Sequence, residues 1–160
     1  MKKILKNIGM SNSYSKDKRK EFVDFTDIKV RFSEIDSLGI LWHGNYVQYF
    51  EDGREAFGEK YGLTYSNIRT HGYFAPVTKL ELDYKKYVRQ GTLLELETIF
   101  HYIKSAKIIF SYNIRKKNTR DTVCIGKSEQ VFVDAQTFQL AFSKPPFYRK
   151  WETKFLTNNK

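Results

Sequence analysis

Hydrophobic positions along the chain follow two periods, and the change from one to the other divides the sequence into elements. In the run 23–33, Phe25, Ile28, Val30 and Phe32 are apolar and the last three alternate, which predicts a strand. Tyr46, Tyr49, Phe50, Gly53, Phe57 and Tyr61 then recur at i, i+3, i+4 spacing. This predicts a helix over 45–61 with one apolar face, and Glu51, Asp52, Glu55 and Glu59 on the other. Asn45 is a good N-cap type and Gly62 a C-terminal stop. Gly53 inside a helix costs about 1 kcal/mol relative to Ala, so its presence points to close approach of the helix to a sheet. One more helical turn is expected near 64–69. Four strand-like runs follow, 74–88, 93–102, 106–115 and 122–134, and their short connectors predict an antiparallel meander. Beyond Pro145-Pro146, the stretch 147–155 with Trp151 is a candidate terminal helix.

One helix followed by a long antiparallel sheet is an α+β pattern. The expected divisions are a basic N-terminal arm over 1–22, the domain over 23–144, and a C-terminal extension with helical character over 145–160. At 160 residues the chain is one domain, long enough to bury roughly 70% of its unfolded surface. A sheet wrapped on one helix leaves a face or edge to cover, which favours a homo-oligomer.

Charge and cysteine narrow the class. The net charge is +10, and the first twenty residues carry seven Lys or Arg against Asp17 alone. Such a stretch reads as a solvated arm. It comes with no aromatic-interleaved basic patch and no helix-turn-helix, so nucleic acid is disfavoured as a partner. The single cysteine, Cys124, excludes an internal disulfide and points to a reducing, cytoplasmic setting. No apolar run reaches the roughly 18 residues of a bilayer span. The lysines near the N-terminus precede no apolar signal region. Three scattered histidines and one cysteine lack metal-ligand spacing, so no metal is predicted. No Gly-x-Ser-x-Gly elbow is present, against an α/β-hydrolase route.

Candidate chemistry gathers in the segment 31–58, where a loop with Glu34, Asp36 and Gly39 runs into Trp42-His43-Gly44-Asn45 and the helix. The free N–H groups and positive dipole end of a helix start favour an oxyanion, and Asp36 lies a few residues upstream. From the residues alone, the plainer reading of Asp36 is a turn aspartate bonded to its own backbone.

The stretch RFSEIDSLGILWHGNYVQYFEDGREAF resembles the signature segment of the 4-hydroxybenzoyl-CoA thioesterase family of hotdog-fold acyl-CoA thioesterases, with Asp36, Gly39, His43, Asn45 and Tyr46 at the matching positions. PVTKLELDYKKYVRQGTLLELET is similar to that family's second stretch, and Lys104-Ser105 falls where the family has a CoA-contacting hairpin. The resemblance spans about residues 25–145. It implies a hotdog fold: a long central helix wrapped by a five- or six-stranded antiparallel sheet. It also implies dimers or tetramers with acyl sites at subunit interfaces, and hydrolysis of an acyl-CoA to free acid and CoA. Asp36 would then be nucleophile or general base, with the helix start near His43 and Gly44 polarising the carbonyl. Asn45, Tyr46, Lys86, Arg89, Lys104 and Ser105 would contact substrate, with Lys85 and Lys107 as further cations for the CoA phosphates. No cofactor is needed, since the CoA thioester is the substrate.

Other assignments stay open. His43 could orient Asp36, move a proton, or only pack at the helix start. Glu51 aligns with Glu55 and Glu59 and reads as solvated. Glu34, two residues from Asp36, would share its side of an extended segment. His71 and His101 have no assigned role, and Cys124 reads as a core residue. Tyr46, Tyr49, Phe50, Phe57 and Phe74 could line an aromatic or an aliphatic acyl pocket. The alternatives are an acyl-carrier-protein thioesterase, a hotdog dehydratase using His43 with an acid, and a non-catalytic acyl-binding domain.

Overall fold

Strand, helix and meander follow one another in the computed structural model, which describes residues 22–157; the arm expected at the N-terminus falls outside the described residues up to residue 21. β1 (Phe22–Lys29) leads through one 3-10 turn (Phe32–Glu34) to α1 (Asn45–Tyr61) and α2 (Tyr65–Thr70). β2 (Tyr73–Phe74), β3 (Val77–Tyr84), β4 (Leu93–His101), β5 (Lys107–Lys116), β6 (Thr122–Val131) and β7 (Val133–Asp134) come next, then α3 (Pro146–Glu152). Five strands form one antiparallel sheet in the order β1-β4-β5-β6-β3, and β2 pairs separately with β7. A long helix against a five-stranded antiparallel sheet is the hotdog arrangement.

The helical stripe explains how α1 seats on the sheet. Tyr46, Tyr49, Phe50, Gly53 and Phe57 are buried. Phe50 stacks on Tyr112 of β5 with ring centroids 4.2 Å apart, and Phe57 meets Phe110 edge-on at 5.1 Å. Gly53 is where the backbones come closest: a Cβ there would run into Thr98 Oγ1 and Leu96 Cδ2 of β4. The helix stops at Gly62, which takes the left-handed conformation at φ +74° and donates its N–H to Gly58 O.

Two expectations change. Tyr46, Tyr49, Phe50 and Phe57 do not line a pocket; they are the filled core between helix and sheet, while Phe74 packs on Phe138 at 5.9 Å. Asn45 is not the N-cap either. Gly44 holds that position, with no side-chain cap, and Asn45 is the first helical residue.

The C-terminal segment is built into the core. Tyr148 and Trp151 of α3 are buried and stack at 5.6 Å. Trp151 sits edge-on to Phe100 at 5.2 Å and donates its indole N–H to Tyr61 O at 2.7 Å. Among the described residues no helix is long and apolar enough to cross a membrane.

Register fixes what lies near what. Lys29 at the end of β1 faces Leu93, and Phe22 at its start faces Phe100. The loop after β1, the end of β3 and the starts of β4 and β6 therefore share one end of the sheet. The β4–β5 turn lies at the other.

Candidate active site

The loop between β1 and α1 is a closed hairpin. Ile35 bridges Leu41, Asp36 N–H donates to Ile40 O at 2.9 Å, and Gly39 N–H donates to Asp36 O at 3.0 Å. Gly39 sits at φ +73°, which a side chain would strain. Leu41 N–H donates to Val88 O at 2.9 Å, docking the hairpin on the segment between β3 and β4.

Asp36 makes the local bond that the plainer reading expects, but with one oxygen. Oδ1 accepts the Leu38 N–H at 2.8 Å and the Ile40 N–H at 3.4 Å. Among the described residues Oδ2 has no donor. The carboxylate is thus oriented by its own turn and keeps one oxygen unbonded.

The hairpin is tied to the helix start through Glu34. Its carbonyl accepts both the Trp42 N–H and the Asn45 Nδ2–H, each at 2.9 Å. Its carboxylate turns away from Asp36 and accepts the Arg31 N–H at 2.7 Å and the Tyr49 hydroxyl at 2.8 Å. The shared side expected for Glu34 and Asp36 does not form, because the 3-10 turn at Phe32–Glu34 replaces an extended backbone. Burial, and then the bond to Glu34, push the Tyr49 hydroxyl well above its ordinary pKa, so it stays a donor.

At the helix start, Asn45 N–H is taken by Trp42 O and Val47 N–H by Gly44 O. The N–H groups of His43, Gly44 and Tyr46 make no hydrogen bond among the described residues. They are free donors at the positive end of α1. The Trp42 ring lies over Gly44 so closely that a Cβ there would collide with it. Tyr84 at the end of β3 donates its hydroxyl to His43 O at 3.1 Å, and its ring meets Tyr46 edge-on at 5.2 Å. The His43 ring packs beside Trp42, 5.0 Å between centroids, and no carboxylate bonds it among the described residues.

Around Asp36 the surface is apolar and unwalled. Leu38 is 78% exposed, Phe32 77% and Trp42 48%. The core beneath is full.

The expected cations divide between the two ends of the sheet. Lys86 and Arg89 are on the segment that docks the hairpin; Lys86 pairs with Asp121 at 2.7 Å, and Arg89 lies 5.9 Å from the Tyr87 ring. Lys85 pairs with Asp83. Lys104 and Ser105 are at the β4–β5 turn, a nine-residue strand and so roughly 30 Å from Asp36. Lys107 is at that far end too, paired with Glu129 at 2.9 Å. Within one subunit, Lys104 and Ser105 cannot serve the same site as Asp36.

A buried polar network was missed. Arg54, only 6% exposed, pairs with Glu51 and donates to the Tyr112 hydroxyl at 2.9 Å and the Tyr65 hydroxyl at 3.2 Å. Tyr112 and Ser128 hydroxyls bond at 2.6 Å, and Gln130 donates to Tyr65 at 3.2 Å. Burial disfavours a charged Arg54, but Tyr112, Tyr65 and Glu51 hold it firmly protonated. Glu51 is therefore half-buried and paired, not solvated. The i+4 spacing from Phe50 and i−3 from Phe57 is the signal that places Arg54 on the buried stripe.

The family model described as "Thioesterase-like superfamily" matches residues 30–151. The chain belongs to that superfamily. It is a thioester hydrolase by family. It is 30% identical over 134 residues to the Bacillus subtilis protein named "Putative acyl-CoA thioesterase YneP", covering 81% of this chain and 92% of that one. Its fold matches the crystal structure of DHNA-CoA thioesterase from Staphylococcus aureus with a TM-score of 0.73 and 25% identity, covering 82% of this thioesterase and 89% of that one. The acyl-acyl carrier protein thioesterase ATL3 of Arabidopsis thaliana is 23% identical over 68% of this chain and 57% of its own length.

Proposed function

We propose that this thioesterase hydrolyses acyl-CoA to free acid and CoA, with Asp36 as the reacting carboxylate. The observation that carries this reading is the paired geometry of one hairpin: a carboxylate fixed through Oδ1 with Oδ2 open, joined through Glu34 to a helix start with unbonded N–H groups. Asp36 Oδ2 either attacks the thioester carbonyl or takes a proton from an attacking water. The carbonyl oxygen gains negative charge and is held by the N–H groups of Gly44 and its neighbours, and the thiolate of CoA leaves; on the first route water then cleaves the acyl–Asp36 anhydride, releasing the acid and restoring the carboxylate. Oriented donors of this kind are each worth about 3–4 kcal/mol in acyl transfer. No cofactor enters the reaction.

A second copy of the chain completes the site. The apolar surface around Asp36 needs a wall, and β3 is an unpaired edge whose Tyr84 reaches the helix start. A strand added along β3 brings that wall. Lys86 and Arg89 face the CoA phosphates; Lys104 and Ser105 can contribute only from another subunit. His43 packs beside Trp42 and does not bond Asp36, so the dehydratase pairing of those two side chains does not form within one subunit.

CoA release followed with a thiol reagent, across short, long and aromatic acyl-CoAs, tests the proposal with Asp36→Asn in parallel. Asparagine Oδ1 can accept the same Leu38 N–H, so the turn survives and only the charge is lost. The variant should fall by roughly a hundredfold or more while staying folded. Full activity in Asp36→Asn sinks the assignment. Turnover of acyl-carrier-protein thioesters without turnover of acyl-CoA replaces the donor.

A further inference from the structure

A cavity of about 680 Å3 opens at the opposite end of α1, between Gly62, α2 and α3. The helix is 17 residues long, so this cavity is roughly 25 Å from the helix start. Its volume falls in the range of small-molecule sites, which are mostly apolar with a few placed polar groups.

The walls are rings. His71 stacks on Phe147 with centroids 4.5 Å apart and planes 19° from parallel. Trp151 and Phe155 form another wall, 5.6 Å apart. Much of the polar capacity is already spent: Trp151 donates to Tyr61 O, and His71 Nδ1 donates to Asn67 O at 2.8 Å. What remains is neutral polar or cationic. Asn67, Tyr73, Lys150 and Lys154 line the cavity, and among the described residues no Asp or Glu does. Lys154 holds its ammonium 5.0 Å from the Phe155 ring, over the apolar wall. The acid next to Trp151 in sequence, Glu152, is bound by Lys144 at 2.6 Å.

We propose that this cavity binds a small aromatic monocarboxylate, its ring between the aromatic walls and its carboxylate at Lys150 and Lys154. Aromatic side chains make up half of the lining, and a planar ring packs on such faces better than a flexible chain does. Two lysine ammoniums, with no Asp or Glu among the described lining residues, supply the countercharge for a carboxylate. The carbonyl end of α1 at Gly62 adds negative potential, which disfavours polyanions. The inference goes beyond hydrolysis at Asp36 and stands whether or not that reaction occurs.

Titration of the full chain with 2-naphthoate tests it, by calorimetry and by the indole N–H resonances of the two tryptophans, Trp42 and Trp151; Trp42→Phe serves only to assign them. The Trp151 resonance should shift saturably. The double variant Lys150→Glu/Lys154→Glu should weaken binding by roughly tenfold or more with an unchanged circular dichroism spectrum. Neutral 2-naphthalenemethanol and flexible decanoate should both bind more weakly. The proposal is overturned if Trp151 does not respond up to about 5 mM ligand, if the charge-reversed protein binds equally well, or if decanoate binds more tightly. None of these measurements involves thioester turnover, so failure here and failure of the hydrolase reading remain distinguishable.

Discussion

The Asn45 side-chain amide and the Glu34 carbonyl, 2.9 Å apart, join the first residue of α1 to the hairpin that carries Asp36. Glu34 O keeps its bond from Trp42 N–H when Asn45 is replaced, so Asn45→Ala should cost only about 1 kcal/mol of stability. Its larger effect should be on turnover, because the carboxylate and the helix N–H groups lose a fixed relation. Denaturant midpoints and steady-state kinetics check this: kcat should drop several-fold more than the stability loss explains. An unchanged kcat would leave the tie purely structural.

Gly53→Ala sets two effects of opposite sign against each other. Helix propensity favours alanine by about 1 kcal/mol. The new methyl group meets Thr98 Oγ1 and Leu96 Cδ2, and overpacking of this sort costs roughly 1–3 kcal/mol. The collision is with a buried strand that cannot retreat freely, so the variant should be net destabilised. Urea unfolding that showed a gain would mean α1 can lift from β4.

Arg54→Met should be strongly destabilising, by roughly 3 kcal/mol, since it leaves the Tyr112, Tyr65 and Glu51 groups facing a lost charge. The double variant Arg54→Met/Glu51→Gln should recover part of that loss, because the stranded carboxylate is removed with its partner. A double-mutant cycle by chemical denaturation measures the coupling, and additive losses would show that the pair contributes nothing jointly.

His101 makes stability depend on pH in a direction that can be worked out. Burial, with Lys127 nearby, pushes its imidazole down to about 4, and its Nε2 lies 2.7 Å from Ser111 Oγ. In the unfolded chain histidine titrates near 6.5, so above that pH both states are neutral and this contribution is fully present. As pH falls from about 6.5 towards 4 the unfolded chain binds a proton that the native state refuses, and up to about 3 kcal/mol is lost. His101→Asn should flatten the stability profile over that window. A slope unchanged by the substitution would assign acid sensitivity to other groups.

The α1 stripe, its Gly62 stop and the antiparallel meander were legible because each rests on local spacing. Gly53 was legible as a close approach for the same reason. Placement across the sheet was not. The resemblance implied Lys104-Ser105 at the substrate, yet β1 pairs with β4 so that the loop after one strand and the turn after the other lie at opposite ends. Asn45 could be assigned to either of two uses of the same residue type; what separates them is the helical backbone of Gly44, φ −68° and ψ −27°, which a sequence does not display. Arg54 falls on the buried stripe by spacing, but its charge hides that placement in the sequence. Its partners beyond its own helix come from α2 and β5, elements that only the fold brings together.

The strand order also has a consequence for how the molecule assembles. β4, β5 and β6 are neighbours in sequence and in space, while β1 must find β4 across some seventy residues and β3 must reach past two strands to β6. Short closures form early and long ones late. The meander is therefore the nucleus, and the two edge strands join it afterwards. Both edges carry the hairpin and Tyr84 contacts of the candidate site, so amide protons there should exchange ahead of those in β5. The part of the molecule that carries the candidate site should thus be the last to be assembled and the first to open.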